Sequence, residues 1–137
     1  MSDLDKAIAA LRAKNEPVPV PPKLPDVALV ERIERSSGLT FPPDLVRYFV
    51  CASDVTLATY EPATLTDPDS HTFFLTVLDN FRAIGGGADL VPFCEDNGDF
   101  FCIDASGRVI FWDHNGVSEE AWNSLADWIE QVWIGEA

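Results

Sequence analysis

The stretch LVPFCEDNGDFFCIDASGRVIFWDH, residues 90 to 114, constrains this chain more than any other. Asn97-Gly98 is a pair suited to the two positive φ angles of a tight hairpin turn, and the alternating residues on either side then pair Cys94 with Phe101 and Phe93 with Cys102. DASGR follows as a three-residue turn with Gly107 at the left-handed bulge position. It sets Asp104 against Arg108, Phe101 against Phe111 and Phe100 against Trp112. Three antiparallel strands are therefore expected. In this register Cys94 and Cys102 point to opposite faces, which excludes a disulfide between them.

Helical spacing accounts for much of the rest. Leu4, Ile8 and Leu11 form a stripe over residues 3–14. NEPVPVPPKLP follows, with five prolines in eleven residues, and reads as a stiff extended connector lying along the domain. The first helix is expected to be tethered at a distance, and its removal to leave the rest folded. Asp26 is a candidate N-cap for a helix carrying Val27, Val30 and Ile33 and ending at Gly38. Pro42 and Pro43 stand where a helix start does not need their missing amides, with Leu45, Val46, Phe49 and Val50 as the buried face behind them. VTLATY (55–60) and HTFFLTV (71–77) suggest strands, EPATLTDPDS a turn region, and LDNFRAIGGG a short helix ending in glycines. A last helix is expected from Ser118 as N-cap, with Trp122, Leu125, Ile129 and Trp133 as its stripe.

Charge narrows the partners. The chain has 9 Lys and Arg against 23 Asp and Glu, a net charge of −14. Residues 83 to 137 hold eleven acids and only Arg108. Such a surface repels phosphate backbones and lipid headgroups and speeds encounter with cations, so neither direct nucleic-acid binding nor membrane association is expected. No apolar run approaches the roughly 18 residues of a membrane span. The start, MSDLDKAIAALRAKNEP, lacks the basic region and apolar core of a signal peptide, and three cysteines at irregular spacing suit reduced thiols, so a cytoplasmic location is expected.

Catalytic signals are sparse. His71 and His114 are not spaced as a ligand pair, Cys51 has no sequence neighbour that activates a thiolate, and Gly85-Gly86-Gly87 follows a helix where a phosphate cradle precedes one. These read as structural residues. No catalytic residue, metal or cofactor is assigned. The aspartates stand out: Asp96 faces Asp99 across the first turn, and Asp99 faces Asp113 on the next strand, crowding three carboxylates at one end of one sheet face. Like charges placed so cost roughly 0.2 to 1 kcal/mol per pair. The readings are a solvated turn, a partner surface, or a calcium or magnesium site serving a small metal-dependent hydrolase. For the partner surface, the candidate residues are Asp96, Asp99, Asp113, Glu95 and Trp112.

SSGLTFPPDLVRYFV resembles the signature of the SUKH superfamily, in which a glycine, a short apolar link and a proline precede a helix of aromatic and aliphatic residues. Residues 90–114, followed by a helix containing LADWIE, resemble that family's C-terminal hairpins and closing helix. The chain departs at Leu45, where the family often has an aromatic residue, and at CASDV, where it often has Asn-Gly-Gly. The resemblance covers roughly residues 26–134. It implies an α+β fold, an antiparallel sheet with C-terminal β-hairpins and helices packed on it. Residues 1–25 then form an N-terminal helix and Pro-rich connector, and 26–137 a SUKH-like domain. Known members include bacterial immunity proteins that neutralise toxins, many of them nucleases, and a eukaryotic regulator of cell-wall synthesis, with no shared catalytic motif. The resemblance thus implies a non-catalytic immunity protein whose partner is a cognate protein toxin, and the acidic C-terminal half adds the expectation that this toxin is basic. The alternative is a regulatory or scaffolding interaction module.

Overall fold

The computed structural model describes residues 2–137. Its elements are helices α1 (Asp3–Ala13), α2 (Val27–Ser37), α3 (Pro43–Ala52) and α4 (Phe74–Ala83), strands β1 (Val91–Asp96), β2 (Asp99–Ile103), β3 (Val109–Asp113) and β4 (Gly116–Trp122), then α5 (Leu125–Trp128), which runs into a π-helical turn, Ile129–Ile134. The strands form one antiparallel sheet in the order β1-β2-β3-β4. The fold is α+β, as expected.

The two hairpins form as the turn residues dictate. Asn97 and Gly98 take φ of 53° and 87°, Gly107 takes 90°, and the Asp104 amide donates to the Arg108 carbonyl at 3.0 Å. Cys94–Phe101, Phe101–Phe111 and Phe100–Trp112 are in register. Phe93 does not pair with Cys102. A bulge between Pro92 and Cys94 gives Cys102 to Pro92, and the Phe93 carbonyl accepts the Ala63 amide at 2.7 Å. The bulge opens the β1 edge to the loop before α4, where Pro62 bridges to Cys94.

Four other expectations fail for physical reasons. Residues 118–122 belong to β4, not to the last helix. Gly116, at φ 103°, turns the chain back along β3, and Ser118 Oγ accepts the Glu120 amide two residues on, a local turn in place of a helix cap. The cap is Ser124, which takes the Asp127 amide at 3.1 Å. Residues 74–77 are helical, because Phe74, Val77, Leu78 and Phe81 together make one buried stripe at i, i+3, i+4 and i+7. Residues 55–60 form no strand: Asn15 Oδ1 takes the Thr56 amide, Glu16 Oε1 the Ala58 amide, and the Leu57 carbonyl receives Trp133 Nε1. Val27 is 52% exposed, so the buried stripe of α2 is Val30, Ile33 and Ser37.

Helix α1 is not held at a distance. Leu4, Ala7, Ile8 and Leu11 are buried in the main core, against α3, α5 and the π-helical turn. The proline connector does lie along the domain, pinned where the Glu16 amide meets the Thr56 carbonyl at 2.7 Å and Thr66 Oγ1 meets the Lys23 carbonyl at 3.2 Å. Pro42 and Pro43 start α3 without a side-chain cap, in keeping with proline at a first helical turn. Leu45, Tyr48, Phe49 and Ala52 are its buried residues, with Val46 and Val50 half-buried beside them.

Both sheet faces are covered, unequally. On one, Phe101 lies 5.1 Å from the Trp128 ring and 5.7 Å from that of Trp122, inside the main core. On the other, Phe100 and Cys102 join Val77 and Phe81 of α4 in a smaller cluster. The thiols of Cys94 and Cys102 are free and separated by the sheet, and burial raises the pKa of each.

Candidate interaction surface

The tight turn at Asn97-Gly98 sets Asp96 directly opposite Asp99. Alternation along β1 and β2 puts both on the Phe101 face, at the open end of the sheet. The β2–β3 ladder closes at Phe100–Trp112, one pair short of Asp99 and Asp113. Asp113 shares their face by alternation and serves its own turn, accepting the Asn115 amide at 2.7 Å. A carboxylate that the hairpin pattern does not reveal completes the group. Glu136, beyond the π-helical turn, accepts from the Tyr60 hydroxyl at 3.1 Å. Partial burial raises the Asp96 carboxyl above its ordinary range, and the charges of Asp99 and Glu136 push it further. The Tyr60 hydroxyl is pushed up to about 12, by burial first and then by the bond to Glu136.

Glu95 and Trp112 lie on the opposite face. Glu95 Oε1 accepts from Asn80 of α4 at 3.1 Å. The Trp112 ring meets Phe81 edge-on at 5.5 Å. The five candidate residues therefore divide between two surfaces that meet at the β1–β2 turn.

Between them, at the β1 edge, is a cleft of about 300 Å³ lined by Glu61, His71, Thr76, Asn80, Glu95 and Asp96 among others. His71 Nε2 sits 2.6 Å from Glu61 Oε2, and His114 Nδ1 3.9 Å from Asp99 Oδ1. Both imidazoles thus lie beside carboxylates at the surface. Among the described residues, no group of three or more His, Cys, Asp or Glu side chains is arranged to hold a metal ion, and no helix is long and apolar enough to cross a membrane.

Cations are scarce near these acids. The Lys and Arg ion pairs among the described residues join Arg12 to Asp54 and Arg47 to Asp5, each at 2.6 Å and both in the N-terminal half. The eleven carboxylates of residues 83–137 have no direct lysine or arginine ion partner among the described residues.

A family model described as SUKH_5, SMI1-KNR4 cell-wall, matches residues 4–134. That span takes in α1 and the proline connector along with the hairpins. The crystal structure of a protein from Pseudomonas syringae pv. tomato is similar over 96% of this chain and 98% of that one, at 36% identity and a TM-score of 0.92. No curated protein matches the chain.

Proposed function

The chain belongs to the SMI1-KNR4 cell-wall family of the SUKH superfamily, and from that premise we propose that it is a non-catalytic immunity protein that binds and blocks a basic protein toxin in the cytoplasm. The carrying observation is the anionic C-terminal half, whose carboxylates lack direct lysine or arginine ion partners among the described residues. Asp96 is raised first by partial burial and then by the charges of Asp99 and Glu136, and a cation placed among them within the fold would relieve that repulsion. A cationic partner does the same from outside. The field also steers such a partner, accelerating encounter by factors on the order of 10 to 1000 at low salt. Toxins that act on nucleic acid are commonly basic, which makes them electrostatic complements to this surface.

The test is direct. The gene's neighbourhood is first read for a toxin-like open reading frame, whose absence overturns the reading. The purified protein is then mixed with the toxin domain that frame encodes, and complex formation and residual toxin activity are measured at two salt concentrations. Stoichiometric binding, loss of toxin activity and slower association at higher salt are expected. A wild-type protein that neither binds nor inhibits that domain overturns the reading in favour of a regulatory interaction module. Turnover by the protein alone, abolished by changing one aspartate, overturns its non-catalytic part.

A further inference from the structure

Helix α4 packs over β1 and β2 on one sheet face and meets β3 where the Phe81 ring stands edge-on to Trp112 at 5.5 Å. Beneath it Phe100 and Cys102 of β2 are 1% and 0% exposed. One strand further, Ile110 and Trp112 are half-buried, joined by Leu90 from the loop before β1. At the edge, Val117 stands opposite Trp112 in register and is 59% exposed. Burial thus falls steadily across one continuous apolar surface centred on a tryptophan.

Acids adjoin this surface. Asp89 precedes Leu90 in the chain, and Glu95, opposite Phe100, lies on this same face. In β4, three residues stand against Phe111 alone, so Ser118, Glu119 and Glu120 bulge out between Val117 and Ala121. Both glutamates are exposed. An apolar centre containing tryptophan inside a charged rim is the anatomy of a protein-binding patch.

We propose that the open β3–β4 half of this face, with Leu90, Ile110, Trp112 and Val117 at its centre, docks an apolar anchor on the basic partner, whose cations meet the surrounding acids. Charge complementarity selects that occupant. A second copy of this chain, itself at −14 overall, would be repelled. The inference rests on the toxin-binding reading and assigns it a place: the apolar face holds the complex, and the carboxylates at the sheet end steer its formation.

The experiment uses the full chain carrying Val117→Lys, an exposed change expected to leave the urea midpoint where it is, with the neighbouring-gene toxin domain as probe. Dissociation should speed up by about tenfold or more while association changes little. Should the lysine lower the midpoint, Val117→Thr, similar in shape and compatible with a strand, carries the same comparison. Wild-type-like dissociation of a variant that still binds overturns this docking face and leaves the toxin-binding reading standing. Absence of wild-type binding overturns both. A concentration-dependent dimer in sedimentation, lost in Val117→Lys, overturns the partner assignment and gives the face to a second copy.

Discussion

Arg12 of α1 and Asp54, just past the end of α3, meet at 2.6 Å although 42 residues separate them, and the same guanidinium donates to the Cys51 carbonyl at 3.1 Å. Asp5 and Arg47 make a second tie between the same two helices, also at 2.6 Å. Both pairs are substantially exposed, and such pairs contribute about 0 to 1 kcal/mol each. Their role is orientation, because the energy of the contact lies in the apolar stripe beneath them.

Leu11, fully buried in that stripe, decides how α1 should respond to mutation. Leu11→Ala is expected to cost about 2 to 5 kcal/mol, and deletion of residues 2–14 more than about 3 kcal/mol, a large fraction of an ordinary domain's stability. Arg12→Ala should cost about 1 kcal/mol or less. Urea unfolding of the three variants checks the order. A truncated chain with the wild-type midpoint would show that α1 is the loose tether that its sequence position suggests.

The carboxylates should respond to pH with opposite signs. Asp96 binds its proton more tightly in the folded state, so its contribution to stability declines as pH rises from its ordinary value of 3.8 through the raised folded value, and is absent at neutral pH. Asp104 is pushed up by burial, but bonds from Ser106 and the Arg108 amide, with the Arg108 charge, outweigh that and lower it. Its contribution is present above 3.8 and lost as pH falls through the depressed value. Accordingly Asp96→Asn should match or exceed wild-type stability at pH 7 and lose any advantage in acid. Asp104→Ala should lose on the order of 1 kcal/mol at pH 7. Urea midpoints at several pH values separate them. With the toxin domain, the triple variant Asp96→Asn, Asp99→Asn and Asp113→Asn should associate severalfold more slowly and with a flatter salt dependence. Lower stability with unaltered association would make these groups structural.

The three consecutive glycines after α4 are a packing device. Gly85 has φ of 82°, and a Cβ on Gly86 would run into the Phe81 ring. That ring is 1% exposed and held edge-on against Phe100 and Trp112. It cannot turn aside without disturbing the whole smaller cluster. Gly86→Ala is therefore expected to destabilise by about 1 to 3 kcal/mol, while Ala88→Gly, on the exposed turn beyond, should cost under about 1 kcal/mol. Thermal or urea unfolding checks both, and equal midpoints for Gly86→Ala and the wild type would sink the explanation.

What the amino-acid sequence determined by itself was local. Asn97-Gly98 and Gly107 specify turns within a few bonds of themselves, and a hairpin's register follows from its turn, so most of the β1–β2–β3 pairing was legible, and with it the opposition of Asp96 to Asp99. Asp26 and the Pro42-Pro43 pair likewise mark helix starts through contacts inside one turn. What tertiary structure decided was every choice in which two local states were close in energy. A short apolar run such as FFLTV suits a strand or a helix, and the need to cover Phe100 and Cys102 made it α4. Residues 118–122 fit a helix start, yet pairing with β3 made them a strand and left Val117 at its edge. The approach of Glu136 to Asp96, and of α1 to α3, joins segments dozens of residues apart. No local propensity encodes such contacts, because their free energy comes from burying surfaces that meet only once the chain has folded.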